Sequence, residues 1–181
     1  MSKTIFVTGG YKSGKSRWAV SYLEKCDNVL YLVTSALPDP DSMHRLEVSN
    51  EMNFVKWDVE IGVDGTLTDY VKDHKFVVLD SLAGYTLNRV RILTGGKVDI
   101  SDDERHEITK KISGEVQDLY DLLAVNGADG IVLSIETGFS IDPGDPMMKL
   151  CKQILGAVNQ RVANMSSEVY LSVSGIQFKI K

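Results

Sequence analysis

Cysteine is nearly missing from this chain: Cys26 and Cys151 are the only two in 181 residues. They lie far apart and outside any Cys-x-x-Cys spacing, which excludes a disulfide framework and a cysteine-built zinc site. No apolar run approaches the roughly 20 residues needed to cross a bilayer, so no membrane span is expected. The first residues lack an apolar region of signal-peptide length, since Ile5, Phe6 and Val7 run into Thr8 and a glycine pair. A cytoplasmic location is therefore expected. Blocks of Lys or Arg are also lacking, and 25 acids against 20 bases leave a formal charge of −5. That is the wrong sign for a surface that neutralises many nucleic-acid phosphates, so no nucleic-acid partner is expected. Repeats, low-complexity tracts and linkers are absent too. With roughly 100–200 residues per domain, residues 1–181 are expected to form a single domain.

Short β-branched apolar runs alternate with stretches of helical spacing, which predicts an α/β fold with three layers and a mostly parallel sheet. Strands are expected at residues 4–8, 29–34, 76–80, 130–136 and 168–173, with a short one at 54–57. A helix is expected after Ser101, where Ser101 and Glu104 have capping-box spacing and Ile108, Ile112, Val116, Leu119 and Leu123 form one apolar face to about Asn126. Leu150, Ile154, Val158 and Val162 predict another over residues 147–164. Ser174-Gly175 separates two apolar alternations and predicts an antiparallel hairpin strand at the sheet's C-terminal end. Residues 36–62 are poor in apolar side chains and read as an excursion from the core, where function tends to concentrate.

Gly9-Gly10-Tyr11-Lys12-Ser13-Gly14-Lys15-Ser16 satisfies G-x-x-x-x-G-K-[ST] between a predicted strand and a predicted helix. The glycines let successive N–H groups face inward at a helix N-terminus, whose partial positive charge favours phosphate. In such a phosphate loop (P-loop) Lys15 reaches the β and γ phosphates, while Ser16 holds Mg²⁺ together with an acid at the end of a neighbouring strand. Asp80 closes the run Phe76-Val77-Val78-Leu79 and is that candidate. Glu136 ends the predicted strand 130–136, at the sheet edge where α/β proteins bind ligands. It is a candidate for orienting a hydroxyl or a metal-bound water, or else a solvated strand-end acid.

These features, taken with the rest of the chain, resemble the bifunctional adenosylcobinamide kinase/adenosylcobinamide-phosphate guanylyltransferase family. The likeness rests on Phe6-Val7-Thr8-Gly9-Gly10 with Lys12 to Arg17, on Tyr31-Leu32-Val33-Thr34, and on the eight-residue spacing of Asp80 and Asn88. It continues in Glu136-x-Gly138 with Pro143, and in Gly156-x-Val158-Asn159-Gln160-Arg161 followed by Val169-x-Leu171-x-Val173-Ser174-Gly175-Ile176 and Lys179-Ile180-Lys181. The resemblance implies a RecA-like P-loop fold, usually a homotrimer. It implies a nucleotide site of Gly9 to Ser16 with Arg17 and Thr34, binding GTP or ATP with Mg²⁺ as cofactor. The implied reaction phosphorylates the aminopropanol hydroxyl of adenosylcobinamide and then transfers GMP to that phosphate through a guanylylated histidine.

At that histidine the chain departs from the family. Counting twelve residues back from Trp57 puts Arg45 on a family Arg and Ser49 on the nucleophilic position. If residues 41–51 are helical, five steps of about 100° set His44 and Ser49 about 140° apart, so His44 is not expected to substitute. A serine hydroxyl is a weak nucleophile without an adjacent base. His74 and His106 sit among charges and read as surface residues. Lys149 and Lys152 replace family Arg residues, losing the bidentate fork, and Gln153, Ile135 and Ser140 are further departures. The expected activity is therefore the kinase step, with Lys15, Asp80 and Glu136 as catalytic candidates. A non-catalytic nucleotide-binding relative and a kinase of another small alcohol are the alternatives.

Overall fold

The computed structural model describes residues 2–53, 55–138 and 144–181. Its seven strands form one sheet. In chain order they are β1 (Thr4–Gly9), β2 (Val29–Val33), β3 (Asp58–Ile61), β4 (Phe76–Asp80), β5 (Asp129–Leu133), β6 (Glu168–Val173) and β7 (Ile176–Lys179), and their spatial order is β3-β2-β4-β5-β1-β6-β7. Every pairing is parallel except that of β6 with β7. The α-helices are α1 (Lys15–Leu23), α2 (Pro40–Asn53), α3 (Leu82–Thr94), α4 (Asp102–Asn126) and α5 (Pro146–Met165).

Strand periodicity explains the three layers. Phe6, Leu30, Leu32, Val77, Leu79 and Val132 point to one face, where they pack against α3, α4 and α5. Their chain neighbours Ile5, Val7, Val29, Tyr31, Val33, Val78, Ile131 and Leu133 point to the other and meet α1 and α2. Both faces are covered, so the inner strands read as continuous apolar runs.

Three sequence expectations need correction, and one helix was not expected. The short strand lies at Asp58–Ile61 rather than 54–57; Phe54 itself lies outside the described residues. Trp57 is instead a buried anchor whose indole N–H donates to the Cys26 carbonyl at 2.9 Å. The edge strand is mostly exposed and so carries little apolar signal. Residues 36–62 hold α2, seated on the core through Leu46, and β3, which pairs with β2. Helix α3 had no counterpart in the sequence reading, although Leu82, Tyr85, Thr86 and Val90 form its fully buried face. His74 is buried rather than on the surface, with Nδ1 accepting from the Lys72 N–H at 3.3 Å and Nε2 lying 3.0 Å from Asp58 Oδ2. A charged neighbourhood in sequence supplied the imidazole's partners instead of exposing it.

Candidate active site

β1 ends at Gly9, and α1 begins at Lys15. Between them the chain turns tightly, with the Ser13 N–H donating to the Gly10 carbonyl at 3.2 Å. Lys12 at φ 53° and Gly14 at φ 99° take left-handed conformations. Gly14 is the N-cap of α1 and offers no side chain to its first amides, whereas α3, α4 and α5 are capped by Ser81, Ser101 and Asp145. An uncapped helix start leaves donors for an anion.

These amides belong to the wall of a cleft of about 1330 Å³. Tyr11, Lys12, Ser13, Gly14, Lys15, Ser16 and Arg17 line it, together with Thr34, Ser49 and Asp80. Gly9 and Gly10 lie beneath it, and their carbonyls accept from the Lys15 ammonium at 3.0 and 2.8 Å. That ammonium is also 3.3 Å from Ser13 Oγ, and the residue is only 8% exposed. Burial lowers its pKa, while the charge of Asp80 opposes the shift. The cleft wall carries four cationic side chains (Lys12, Lys15, Arg17 and Arg45) against two carboxylates, Asp39 and Asp80. This local sign is opposite to that of the whole chain and suits a polyphosphate.

Asp80 stands at the end of β4, which is separated from β1 by β5 rather than adjacent to it. The separation widens the site, and Asp80 still faces Lys15 across the cleft. A residue the sequence reading did not assign to the chemistry completes this wall. The buried Tyr31 hydroxyl donates to Asp80 Oδ2 at 2.6 Å, and the Ser16 side chain lies near the same phenol. Burial first, then the charge of Asp80, raises its pKa well above the usual phenol value. Its signal in sequence was only a polar tip in the apolar run Val29–Val33. Ser16, Tyr31 and Asp80 line the same cleft, with the phenol fixing the Asp80 carboxylate. One hydroxyl and one carboxylate facing a phosphate pocket fit Mg²⁺, which takes few protein ligands and keeps waters. Among the described residues no cluster of three or more His, Cys, Asp or Glu suggests a different metal site.

The other candidates fall around this centre. The Thr34 hydroxyl donates to the Ser81 carbonyl at 2.8 Å and accepts from the Ser81 N–H at 3.0 Å, so it ties β2 to the turn after Asp80. Asn88 donates to the Thr34 carbonyl at 3.1 Å. Glu136 lies outside the cleft wall, beyond the end of β5. Its N–H donates to the Gly9 carbonyl at 3.0 Å, and its carboxylate accepts from the Gly138 N–H and weakly from the Thr8 hydroxyl. Ser49 and Arg45 project from α2 into the cleft, whereas His44 is exposed and absent from its lining. Ser140 and Pro143 lie outside the described residues.

A phosphate-shaped loop on the first strand of a mostly parallel sheet, with an acid two strands away, defines a P-loop α/β protein of the RecA-like class. Solved structures agree. A KaiC-like protein, PH0186 from Pyrococcus horikoshii OT3, superposes with a TM-score of 0.53 at 15% identity, covering 93% of this chain and 70% of that one. An ATPase from the type III secretion system of pathogenic bacteria gives 0.59 at 13% identity, covering 99% and 58%. At these identities the likeness concerns the fold alone. Sequence comparison goes further: residues 5–180 match the family described as cobinamide kinase / cobinamide phosphate guanyltransferase, and the chain belongs to that family. The bifunctional adenosylcobalamin biosynthesis protein CobU of Salmonella typhimurium strain LT2 is 29% identical over 180 residues, and that of Escherichia coli K12 is 30% identical over 180. Each alignment covers 98% of this chain and 99% of the relative.

Proposed function

We propose that this chain is a nucleoside-triphosphate-dependent kinase of cobalamin biosynthesis or salvage, which phosphorylates the aminopropanol hydroxyl of adenosylcobinamide. The observation that carries this reading is the ready-shaped loop 9–16, with Lys15, Ser16 and Asp80 turned to one cationic cleft. Phosphoryl transfer needs mostly positioning and charge neutralisation. Amides at the start of α1 hold the triphosphate. Lys15 exchanges its loop carbonyls for β and γ phosphate oxygens, and Arg17 and Lys12 add charge beside them. Ser16 and Asp80, the latter fixed by the Tyr31 hydroxyl, would hold Mg²⁺, which supplies further neutralisation when bound. The Glu136 N–H anchors the base of the loop at the Gly9 carbonyl, and its carboxylate, just beyond the end of β5, is the candidate for orienting the attacking hydroxyl.

Guanylyl transfer in this chain lacks the family's covalent histidine. Ser49 occupies that position, so the simplest remaining route is direct attack of the corrinoid phosphate on GTP. After incubation with GTP, intact-mass analysis is expected to show no acid-labile GMP adduct; a GMP-bearing peptide at His44 would refute this. The family likeness also supports one domain, a cytoplasmic location and a homotrimer. Light scattering is expected to give three times the 20.0-kDa chain mass.

The decisive assay measures triphosphate turnover with Mg²⁺, using ATP and GTP in turn, with and without adenosylcobinamide. Turnover that requires the corrinoid is expected. Tight nucleotide binding without such turnover would favour a non-catalytic nucleotide-binding protein, and turnover with a different alcohol would reassign the acceptor.

A further inference from the structure

The C-terminal hairpin reaches back to the phosphate loop. Ser174 at φ 50° and Gly175 at φ 85° form its two-residue turn, and both positive φ values suit a tight hairpin connection. Two donors from this hairpin converge on one loop oxygen. The Ser172 hydroxyl and the Gly175 N–H each donate to the Ser13 carbonyl at 2.8 Å. Ser172 is completely buried, and its hydroxyl accepts from Gln177 Nε2 at 3.1 Å. The backbones are also in close register. A β-carbon on Gly14 would lie 3.0 Å from Gly175 Cα, and one on Gly9 would run into the Ser172 carbonyl.

The Ser13–Gly14 peptide is trans, so its C=O and N–H point in opposite directions. Fixing the Ser13 carbonyl on the hairpin therefore fixes the opposite heading of the Gly14 N–H. We propose that the β6–β7 hairpin is a template for the phosphate loop. Ser172 is its positioning residue, holding the Ser13 carbonyl outward so that the Gly14 amide faces the phosphates before any nucleotide arrives. Gln177 orients the Ser172 hydroxyl from the far strand. The inference rests on the nucleotide reading of the site and adds to it a residue with no contact to substrate.

The test uses calorimetry with magnesium tripolyphosphate, which has no base or sugar, and with ATP and GTP, on the native protein, Ser172→Ala and Gln177→Ala. Losing one hydrogen bond that shapes the nest is expected to weaken tripolyphosphate and nucleotide binding alike by about tenfold in Ser172→Ala, and by about threefold in Gln177→Ala. Amide exchange at Gly14 in the ligand-free protein is expected to quicken, which a merely structural hydroxyl remote from the loop would not cause. Affinity within twofold of native in a folded Ser172→Ala protein overturns the proposal. If that variant fails to fold, unchanged affinity in Gln177→Ala overturns it instead. A native protein that binds neither tripolyphosphate nor nucleotide removes the underlying reading as well, a pattern distinct from native binding with indifferent variants.

Discussion

Lys15 combines burial with charge, and three loop oxygens hold its ammonium in place. Removing it takes away a desolvated cation together with its partners' donor, so Lys15→Ala is expected to fold, as circular dichroism will show. It is expected to lose triphosphate binding by calorimetry, and unchanged binding would sink the assignment of the loop. Tyr31 is the second residue that matters at this scale. Phe at that position keeps the ring stacked near Trp57 but releases Asp80. In Tyr31→Phe the Mg²⁺ concentration for half-maximal nucleotide binding is expected to rise about tenfold, the scale of one hydrogen bond to a charged group. Affinity measured in EDTA should stay near native. A parallel loss in both conditions would show that Tyr31 merely supports the fold. Sequence made Lys15 legible because its neighbours in the loop are contiguous. It left Tyr31 unread, because that residue's partner Asp80 lies 49 positions away along the chain.

Helix α4 follows its sequence closely because its instructions are local. The Ser101 hydroxyl accepts from the Glu104 N–H at 3.1 Å, and the Glu104 carboxylate accepts from the Ser101 N–H at 2.8 Å. Gly127 at φ 63° closes the other end. Ser101→Ala is expected to cost about 1 kcal/mol in urea unfolding. The β6–β7 edge depends instead on a charge cluster assembled from these two strands and Lys3, just before β1. Glu168 accepts from Lys179 at 2.9 Å, Tyr170 at 2.8 Å and Lys3 at 3.0 Å. The Lys179 hydrogen bond, with smaller help from Tyr170 and Lys3, outweighs desolvation and brings the Glu168 pKa down to about 2. The folded pKa is below the unfolded one, so this group's contribution is complete above the ordinary Glu pKa and is lost as pH falls through about 2. Amide exchange in β6 and β7 is therefore expected to speed up across that acid range in the native protein. Glu168→Gln should show no such pH dependence, and an identical profile in the variant would contradict the role of the cluster.

Across the whole molecule, one sheet with both faces covered carries the site along its carboxyl edge. Phe6, 1% exposed between the P-loop strand and helices α3 to α5, is a central part of that core. Phe6→Ala is expected to cost about 3–5 kcal/mol in urea unfolding, a large share of the stability of an ordinary domain. The mostly parallel sheet, the loop at residues 9–16 and the C-terminal hairpin were legible in the chain, whereas helix α3 and the place of β3 were not. The legible features rest on short-range signals: two-residue alternation, helical spacing, caps, and glycines placed where the backbone must turn. Local pattern also placed Asp80 at a strand end and Ser49 on a helix. Only the tertiary structure decided that β5 separates Asp80 from the phosphate strand, that α2 turns Ser49 and Arg45 but not His44 into the cleft, that His74 is buried against Asp58, and that the hairpin grips the Ser13 carbonyl. Each of these depends on which strands become neighbours and how far one element lies across another. Such long-range choices follow from burying the whole apolar surface at once, and no window of sequence contains them.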